Sequence, residues 1–160
     1  MGVPPPRRHP ALRPARAIEE RLTHHDLCFG CGQANVFGLQ LEVARRAEGG
    51  VAGRFFVKQD HQGPPGYAHG GVVATALDEA MALLLHGQGT YALTGRLEVE
   101  LKAPAAVGSF IDVEADVVEV EGRRLTLEAS ASGDDGTVAL ARGTFVELEA
   151  GEGSPGVDRG

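Results

Sequence analysis

The segment His69-Gly70-Gly71 and the carboxylate of Asp78 are the residues of this chain best suited to chemistry. Small residues at the start of a helix leave its first N–H groups exposed, and these groups carry the positive end of the helix dipole. Such a terminus suits an anion, or a carbonyl oxygen that is becoming an oxyanion. His69 has three possible roles there: a base, an orienting hydrogen-bond donor or a helix cap.

The apolar pattern predicts one long helix from Gly70 to His86. At 100° per residue, about half of its surface is apolar and is expected to pack on a sheet. That face consists of Val72, Val73, Ala76, Leu77, Ala80, Leu83 and Leu84. The other half holds Asp78 between Ala74 and Ala82, which leaves room beside the carboxylate for a ligand. The polar strip of this helix consists of Thr75, Glu79 and His86.

A helix that is apolar nearly all round is buried nearly all round, whereas one sheet covers only one side. We therefore expect a second copy of the chain on the Asp78 side, since most soluble oligomers are symmetric. Burial there would raise the pKa of Asp78 above its ordinary value of about 3.9. Asp78 lies about 12 Å along the axis from Gly70, so the two cannot share one substrate atom within a subunit. Two antiparallel helices around a dimer axis would bring them together.

The remaining chain supplies the sheet. Residues 17–26 predict a short helix, residues 28–38 a glycine-rich loop, residues 39–57 a hairpin and residues 60–67 a second loop. Four strand-like runs follow, in which apolar and polar residues alternate from Leu97, Ile111, Leu125 and Val138. The alternation slips at Val118, which predicts a bulge. The fold class is α+β, with an antiparallel sheet of about six strands and one helix in a single domain over residues 17–148.

Charge and hydropathy bound the partners and the compartment. The net charge is −7, and beyond residue 21 the chain holds 10 basic and 20 acidic residues, which disfavours nucleic-acid binding. Residues 1–16 are rich in Pro and Arg and are expected to be a disordered tail, and residues 149–160 a flexible one. No apolar run is long enough for a membrane span, and the start of the chain lacks a signal-peptide core. We therefore expect a cytoplasmic protein without membrane contact.

Cys28 and Cys31 form a CxxC pair, and His24 and His25 could complete a Cys₂His₂ zinc set on paper. The spacing matches no zinc pattern that we can justify, and no second CxxC exists. A redox role would require a strand-to-helix setting, which a loop lacks. We therefore predict a structural loop with free thiols and no metal.

Three segments together resemble the hotdog-fold thioesterases, specifically the phenylacetate-degradation (PaaI-type) acyl-CoA thioesterase family with its THEM4/THEM5-like branch. They are HQGPPGYAHGGVVATALDEAMA (61–82), LTGRLEVELKAPAAVG (93–108) and EGRRLTLEASAS (121–132). CFGCGQANVFGLQLE (28–42) is loosely similar to a segment of many bacterial members. The resemblance covers about residues 28–148.

The resemblance implies a sheet wrapped around the long helix, a homodimer or homotetramer, and an active site at the subunit interface that hydrolyses an acyl-CoA thioester. No cofactor is implied, because CoA is part of the substrate. By position, the Gly70 N–H polarises the thioester carbonyl, with Gly71 beside it, and His69 supports the turn. Asp78 of the partner subunit is the general base or the nucleophile, and Thr94 helps to hold the attacking water.

One position departs from the family. Many members carry an Asn seven residues before the glycine that matches Gly70, as a second oxyanion contact, and this chain has Gly63 there. Either Gln62 or His61 replaces it, although a surface position in the turn is the simpler expectation for His61, or the site has fewer donors. This departure favours a weakly catalytic acyl-CoA sensor as an alternative. An acyl-CoA hydratase of the same fold is a second alternative, although the chain has no motif that matches one. The candidates for contact with CoA phosphates are Lys102, Arg123 and Arg124, and the alternative is that they are ordinary surface charges of strands and turns.

Overall fold

The computed structural model describes residues 21–149, in which one α-helix packs on one antiparallel sheet of seven strands. The helix α1 spans Gly70–Gly87. The strands are β1 (Arg21–Leu22), β2 (Glu42–Arg45), β3 (Val51–Phe56), β4 (Ala92–Leu101), β5 (Phe110–Glu121), β6 (Arg124–Gly133) and β7 (Gly136–Glu147). Their order across the sheet is β1-β2-β3-β5-β6-β7-β4. Within this range no helix is both long enough and apolar enough to cross a membrane.

The alternating residues of the central strands form the face on which α1 lies. In β5 the side chains of Ile111, Val113 and Ala115 are buried, while their acidic neighbours point away. Val113 lies opposite Ala131 of β6 in the register, so both strands present small or branched residues to the helix. Such a pattern is expected of an antiparallel sheet with one face in the core and one in solvent.

Helix α1 confirms the predicted long helix and ends one residue later than expected. Of the predicted packing face, Val72 is half-buried and the other six residues are buried. Met81 and Leu85 are also buried, at 0% and 1% exposure. The helix contacts every strand from β1 to β7, so the sheet curves around it.

The predicted short helix over residues 17–26 is wrong in its described part. Arg21 and Leu22 form strand β1, which pairs with Ala44 and Val43 of β2. The Arg21 guanidinium also donates a hydrogen bond to the Cys31 carbonyl at 3.2 Å. These backbone and side-chain bonds outweigh a weak helical pattern, and they raise the number of strands from about six to seven. Residues 17–20 and the predicted tails lie outside the described residues, apart from Glu149.

Two bulges interrupt the ladder. The register between β5 and β6 shifts between Val117 and Glu119, which confirms the slip predicted at Val118. The register between β4 and β7 shifts between Thr94 and Arg96, and the extra residue is Gly95. The second bulge was not predicted, since glycine adds no side chain to the alternation. A bulge re-aims neighbouring side chains, and Thr94 is the residue affected.

His61 anchors the loop that leads into α1, and here the expected surface position is wrong. Its ring is 2% exposed and lies edge-on to Phe55. Nδ1 accepts a hydrogen bond from the Lys58 N–H at 3.1 Å, so Nε2 carries the proton and faces the Gly38 carbonyl at 3.3 Å. Two backbone groups are thus satisfied by one buried ring, which explains the burial of a polar residue. Burial lowers the pKa of His61, and the charge of Lys58 acts in the same direction.

Because the folded state keeps His61 neutral, its contribution to stability is present above the unfolded pKa of about 6.5 and is lost as pH falls through the lower folded pKa. We expect the difference in unfolding free energy between the native chain and His61→Asn to be largest near neutral pH and to shrink as the pH falls below about 6.5. Urea unfolding across this range measures it. A difference that stays constant with pH would contradict a buried neutral ring.

Candidate active site

The start of α1 is capped by the side chain that precedes it. His69 is the N-cap, and its Nδ1 accepts a hydrogen bond from the Gly71 N–H at 2.9 Å. Its carbonyl accepts the N–H groups of Val72 and Val73. Among the roles considered for His69, the structure therefore shows a helix cap, in which Nδ1 is occupied.

The Gly70 N–H, in contrast, has no hydrogen-bond acceptor within residues 21–149. It lies in a groove of about 350 Å³ whose lining includes Tyr67, Val73, Leu101 and Lys102. A Cβ atom at position 70 would lie 2.8 Å from Leu101 Cδ1. Glycine therefore keeps the groove open, and its free N–H at the positive end of the helix can donate to an oxyanion.

Asp78 and Thr94 are brought together within one chain. The Thr94 hydroxyl donates a hydrogen bond to Asp78 Oδ1 at 2.8 Å, because the Gly95 bulge falls beside Thr94 in β4. The carboxylate is half-buried, between the half-buried residues Ala74 and Ala82. Burial raises the pKa of Asp78, and the hydrogen bond from Thr94 opposes the rise. Sequence reasoning assigned Thr94 to a water molecule and missed this contact. A role for Thr94 on water stays a prediction.

One chain keeps the two halves of the site apart. Gly70 and Asp78 are about 12 Å apart along a continuous helix. Lys102 is at the Gly70 end, where its Nζ lies 2.5 Å from Glu100 Oε1.

The arginines lie at the other end of the sheet. Arg124 is opposite Val146, and Val146 is opposite Leu93, so Arg124 lies near the Thr94 end of β4. The neighbouring Arg123 donates from Nε to the Glu147 carbonyl at 2.9 Å. Within one chain, Lys102 is therefore not brought together with Arg123 and Arg124.

The turn before the helix explains the absence of a side chain at Gly63. A Cβ atom there would lie 2.9 Å from His69 Cα, so an Asn would displace the residue that caps α1. His61 is not a replacement donor, because both of its ring nitrogens serve the backbone. Gln62 is exposed, and its Oε1 accepts the Gly66 N–H at 2.7 Å. Of the two residues considered as replacements for the family Asn, only Gln62 still has a side-chain donor, its amide NH₂ group, near the turn.

Comparison with known proteins agrees with this fold. Residues 65–140 match the model of the Thioesterase superfamily. Human acyl-coenzyme A thioesterase THEM5 is 34% identical over 98 residues, which cover 59% of this chain and 39% of that protein. The chain thus spans about two fifths of the length of the curated relatives that it matches.

Two solved structures are similar over most of the described residues. The BH2602 protein of Bacillus halodurans, crystallised with CoA, is 29% identical with a TM-score of 0.62, covering 70% of this chain and 76% of that one. A mutant of the phenylacetic acid degradation protein PaaI from Thermus thermophilus is 28% identical with a TM-score of 0.63, covering 69% and 95%. By sequence match and by fold, the chain is similar to proteins of the thioesterase superfamily, and it has the hotdog fold.

Proposed function

We propose that this chain is an acyl-CoA thioesterase, which hydrolyses an acyl-CoA thioester to a free carboxylic acid and CoA. The observation that carries the proposal is the pair formed by an unpartnered Gly70 N–H in an open groove and a half-buried Asp78 carboxylate held by Thr94. The named activity of THEM5 and the CoA in the Bacillus halodurans structure support the substrate class.

The complete site requires a second copy of the chain. Strand β4 is the last strand of the sheet, and its outer edge has no partner along Ala92–Leu101 within the described residues. An unpaired edge of this length is a template for another strand. Its ends carry Leu93 and Leu101, which are 57% and 55% exposed. A homodimer formed along β4, alone or within a homotetramer, buries both.

Antiparallel pairing of β4 with its copy also assembles the site. Pairing centred near Leu97 sets Leu101 of one copy opposite Leu93 of the other. Leu101 lies beside Gly70, and Leu93 adjoins Thr94 and hence Asp78. Gly70 of one copy then faces Asp78 of the other, as the 12 Å spacing along one helix requires. The same pairing carries Arg123 and Arg124 of one copy toward the end of the sheet that holds Lys102 of the other, where CoA phosphates need basic groups.

The chemistry follows from the Gly70 N–H of one copy and the Asp78 carboxylate of the other. The thioester carbonyl accepts the Gly70 N–H, so that the oxyanion of the tetrahedral intermediate lies at the positive end of α1. Asp78 takes a proton from water, whose oxygen bonds to the carbonyl carbon, or it attacks that carbon itself and water then cleaves the anhydride. In either case the C–S bond breaks, the thiolate of CoA leaves with the electron pair, and a proton returns to it. Partial burial favours proton uptake because it raises the pKa of Asp78.

A binding protein for acyl-CoA is the second candidate. It is favoured by Gly63, where the packing against His69 leaves no space for a side-chain oxyanion donor at that position. Loss of one such donor costs on the order of 10² to 10³ in turnover in other enzymes. A protein with the groove and without this donor can still hold the thioester.

Asp78→Asn should lower the turnover of acyl-CoA by a factor on the order of 10² or more, because the amide cannot accept the proton. Thr94→Val should have a smaller effect, since it removes only the hydroxyl that holds Asp78. Release of free thiol from a panel of acyl-CoA substrates measures both. Asp135→Asn, in the exposed turn between β6 and β7, is the matched control and should retain native turnover.

Unchanged turnover in Asp78→Asn would overturn the assignment of the carboxylate. If the native chain binds acyl-CoA and cleaves none of the panel, the binding protein is the correct description.

The shared site is tested by mixing two inactive variants. Gly70→Val should block the groove, because its side chain would meet Leu101. In a mixed dimer of Gly70→Val with Asp78→Asn, one site carries both changes and the other carries neither. Joint refolding of equal amounts should therefore restore about a quarter of native activity, as expected for random pairing in a symmetric dimer.

Two results would contradict the shared site. One is a mixture that stays as inactive as its parents. The other is a native particle whose mass in light scattering equals a single chain of 16.7 kDa.

A further inference from the structure

A second cluster of reactive side chains lies beside Asp78, and no step of the proposed hydrolysis uses it. We define it as the His24 cluster: His24, Cys28 and Cys31, which lie between β1 and β2, and Glu79 of α1. One ligand atom of each residue lies within 4.8 Å of all the others. The sequence predicted free thiols and no metal, because the spacing of Cys28 and Cys31 relative to His24 and His25 matches no zinc pattern. In the fold, Glu79, which we had placed in the polar strip of the helix, takes the place of His25 in this set.

The distances fit four ligands around a small ion. Four-coordinate zinc has Zn–S distances of about 2.3 Å and Zn–N or Zn–O distances of about 2.0–2.2 Å, so its ligand atoms are separated by roughly 3.3–3.8 Å. His24 Nδ1 lies 3.9 Å from Cys28 Sγ and 3.8 Å from Cys31 Sγ. Glu79 Oε1 lies 3.2 Å from Cys28 Sγ and 2.9 Å from His24 Nδ1.

The backbone around the cluster is built for this approach. A Cβ atom at Gly30 would lie 2.4 Å from Glu79 Cδ, so glycine is what allows the carboxylate to reach the loop. A Cβ atom at Gly32 would lie 2.4 Å from the Asp26 carbonyl, so glycine also allows the tight turn after Cys31. The Cys31 sulfur accepts the His24 N–H at 3.2 Å, a contact that stabilises a thiolate ligand.

The chemistry of the four groups selects a borderline-soft divalent cation. Two thiols, an imidazole and a carboxylate form a set that zinc prefers over magnesium or calcium, which take oxygen ligands. An ion pair between His24 and Glu79 is an alternative explanation of the cluster. It does not explain why the sulfurs of Cys28 and Cys31 both lie beside the same carboxylate. A reactive redox thiol needs an accessible, electropositive setting, whereas Cys31 is fully buried and faces Glu79.

We propose that His24, Cys28, Cys31 and Glu79 together bind one Zn²⁺ ion, which fixes the loop of residues 28–38 to helix α1 beside Asp78. All four positions are then filled by the protein, as in structural zinc sites, so the ion has no free position for substrate. The ion holds this loop against α1, one residue from the carboxylate of the candidate active site.

Metal content tests the proposal directly. The full chain, purified without an affinity tag or chelator, should contain about one zinc ion per chain, as measured by inductively coupled plasma mass spectrometry. The double variant Cys28→Ser/Cys31→Ser should lose it. His25→Ala is the matched control, because His25 adjoins His24 in the chain but its ring accepts the Leu27 N–H outside the cluster. It should retain the zinc of the native chain.

Cobalt binding identifies the ligands. It also tests the site in the native chain if the double variant fails to fold. Reduced protein stripped by a chelator and titrated with Co²⁺ should show the intense visible bands of a tetrahedral site and a thiolate-to-cobalt charge-transfer band. Glu79→Gln should alter the visible bands and keep the charge-transfer band, since both thiolates remain. Restoring zinc should raise the melting temperature of the stripped protein, and magnesium should not.

A native chain with far less than one zinc, whose stripped form gives only the weak bands of hydrated cobalt, would overturn the proposal. The same holds if His25→Ala loses zinc as fully as the double variant. These readouts involve no thioester, so a failed zinc site leaves the proposed hydrolysis intact, and a failed hydrolysis leaves the zinc site intact.

Discussion

Burial of α1 by the curved sheet is the interaction on which the other features depend. Eight of its side chains are buried, among them Leu77, Met81 and Leu83 at 0% exposure. Full burial of a large apolar side chain contributes roughly 1.5–3 kcal/mol, which is ample to fix the axis and the rotation of the helix. Once these are fixed, every remaining position has a set direction, including the two acidic residues at 78 and 79.

Packing also fixes the geometry at the N-terminus of α1. His69 caps the Gly71 N–H, Gly70 keeps its own N–H free, and Gly63 gives the His69 backbone the space that it needs. Glycine at 63 is therefore part of the packing of the cap and not simply a lost oxyanion contact. A side chain at that position would act first on the geometry of the helix start.

The sequence predicted the features that have a period and missed those that depend on contacts between distant segments. The helix over residues 70–86 and the slip at Val118 were visible because many apolar residues repeat regularly. Strand β1 has two residues and no measurable period, and the bulge at Gly95 has no side chain to disturb the alternation. The burial of His61 depends on Gly38, and the contact of Glu79 with the cysteine loop depends on how α1 is rotated. The hydrogen bond between Thr94 and Asp78 was missed for the same reason, although both residues were singled out.

The position of β4 has a consequence for how the chain reaches its folded state. β4 precedes β5, β6 and β7 in the chain, yet among the strands of residues 21–149 it pairs only with β7, and Ala92 lies opposite Glu147. During synthesis, β4 cannot pair until β7, the last strand of the domain, has been made. This delay slows folding and leaves the strand exposed to misassociation. Its charged residues, Arg96, Glu98 and Glu100, alternate with the apolar ones and hinder pairing with a wrong strand. The pattern that makes β4 recognisable as a strand therefore also protects it while it is alone.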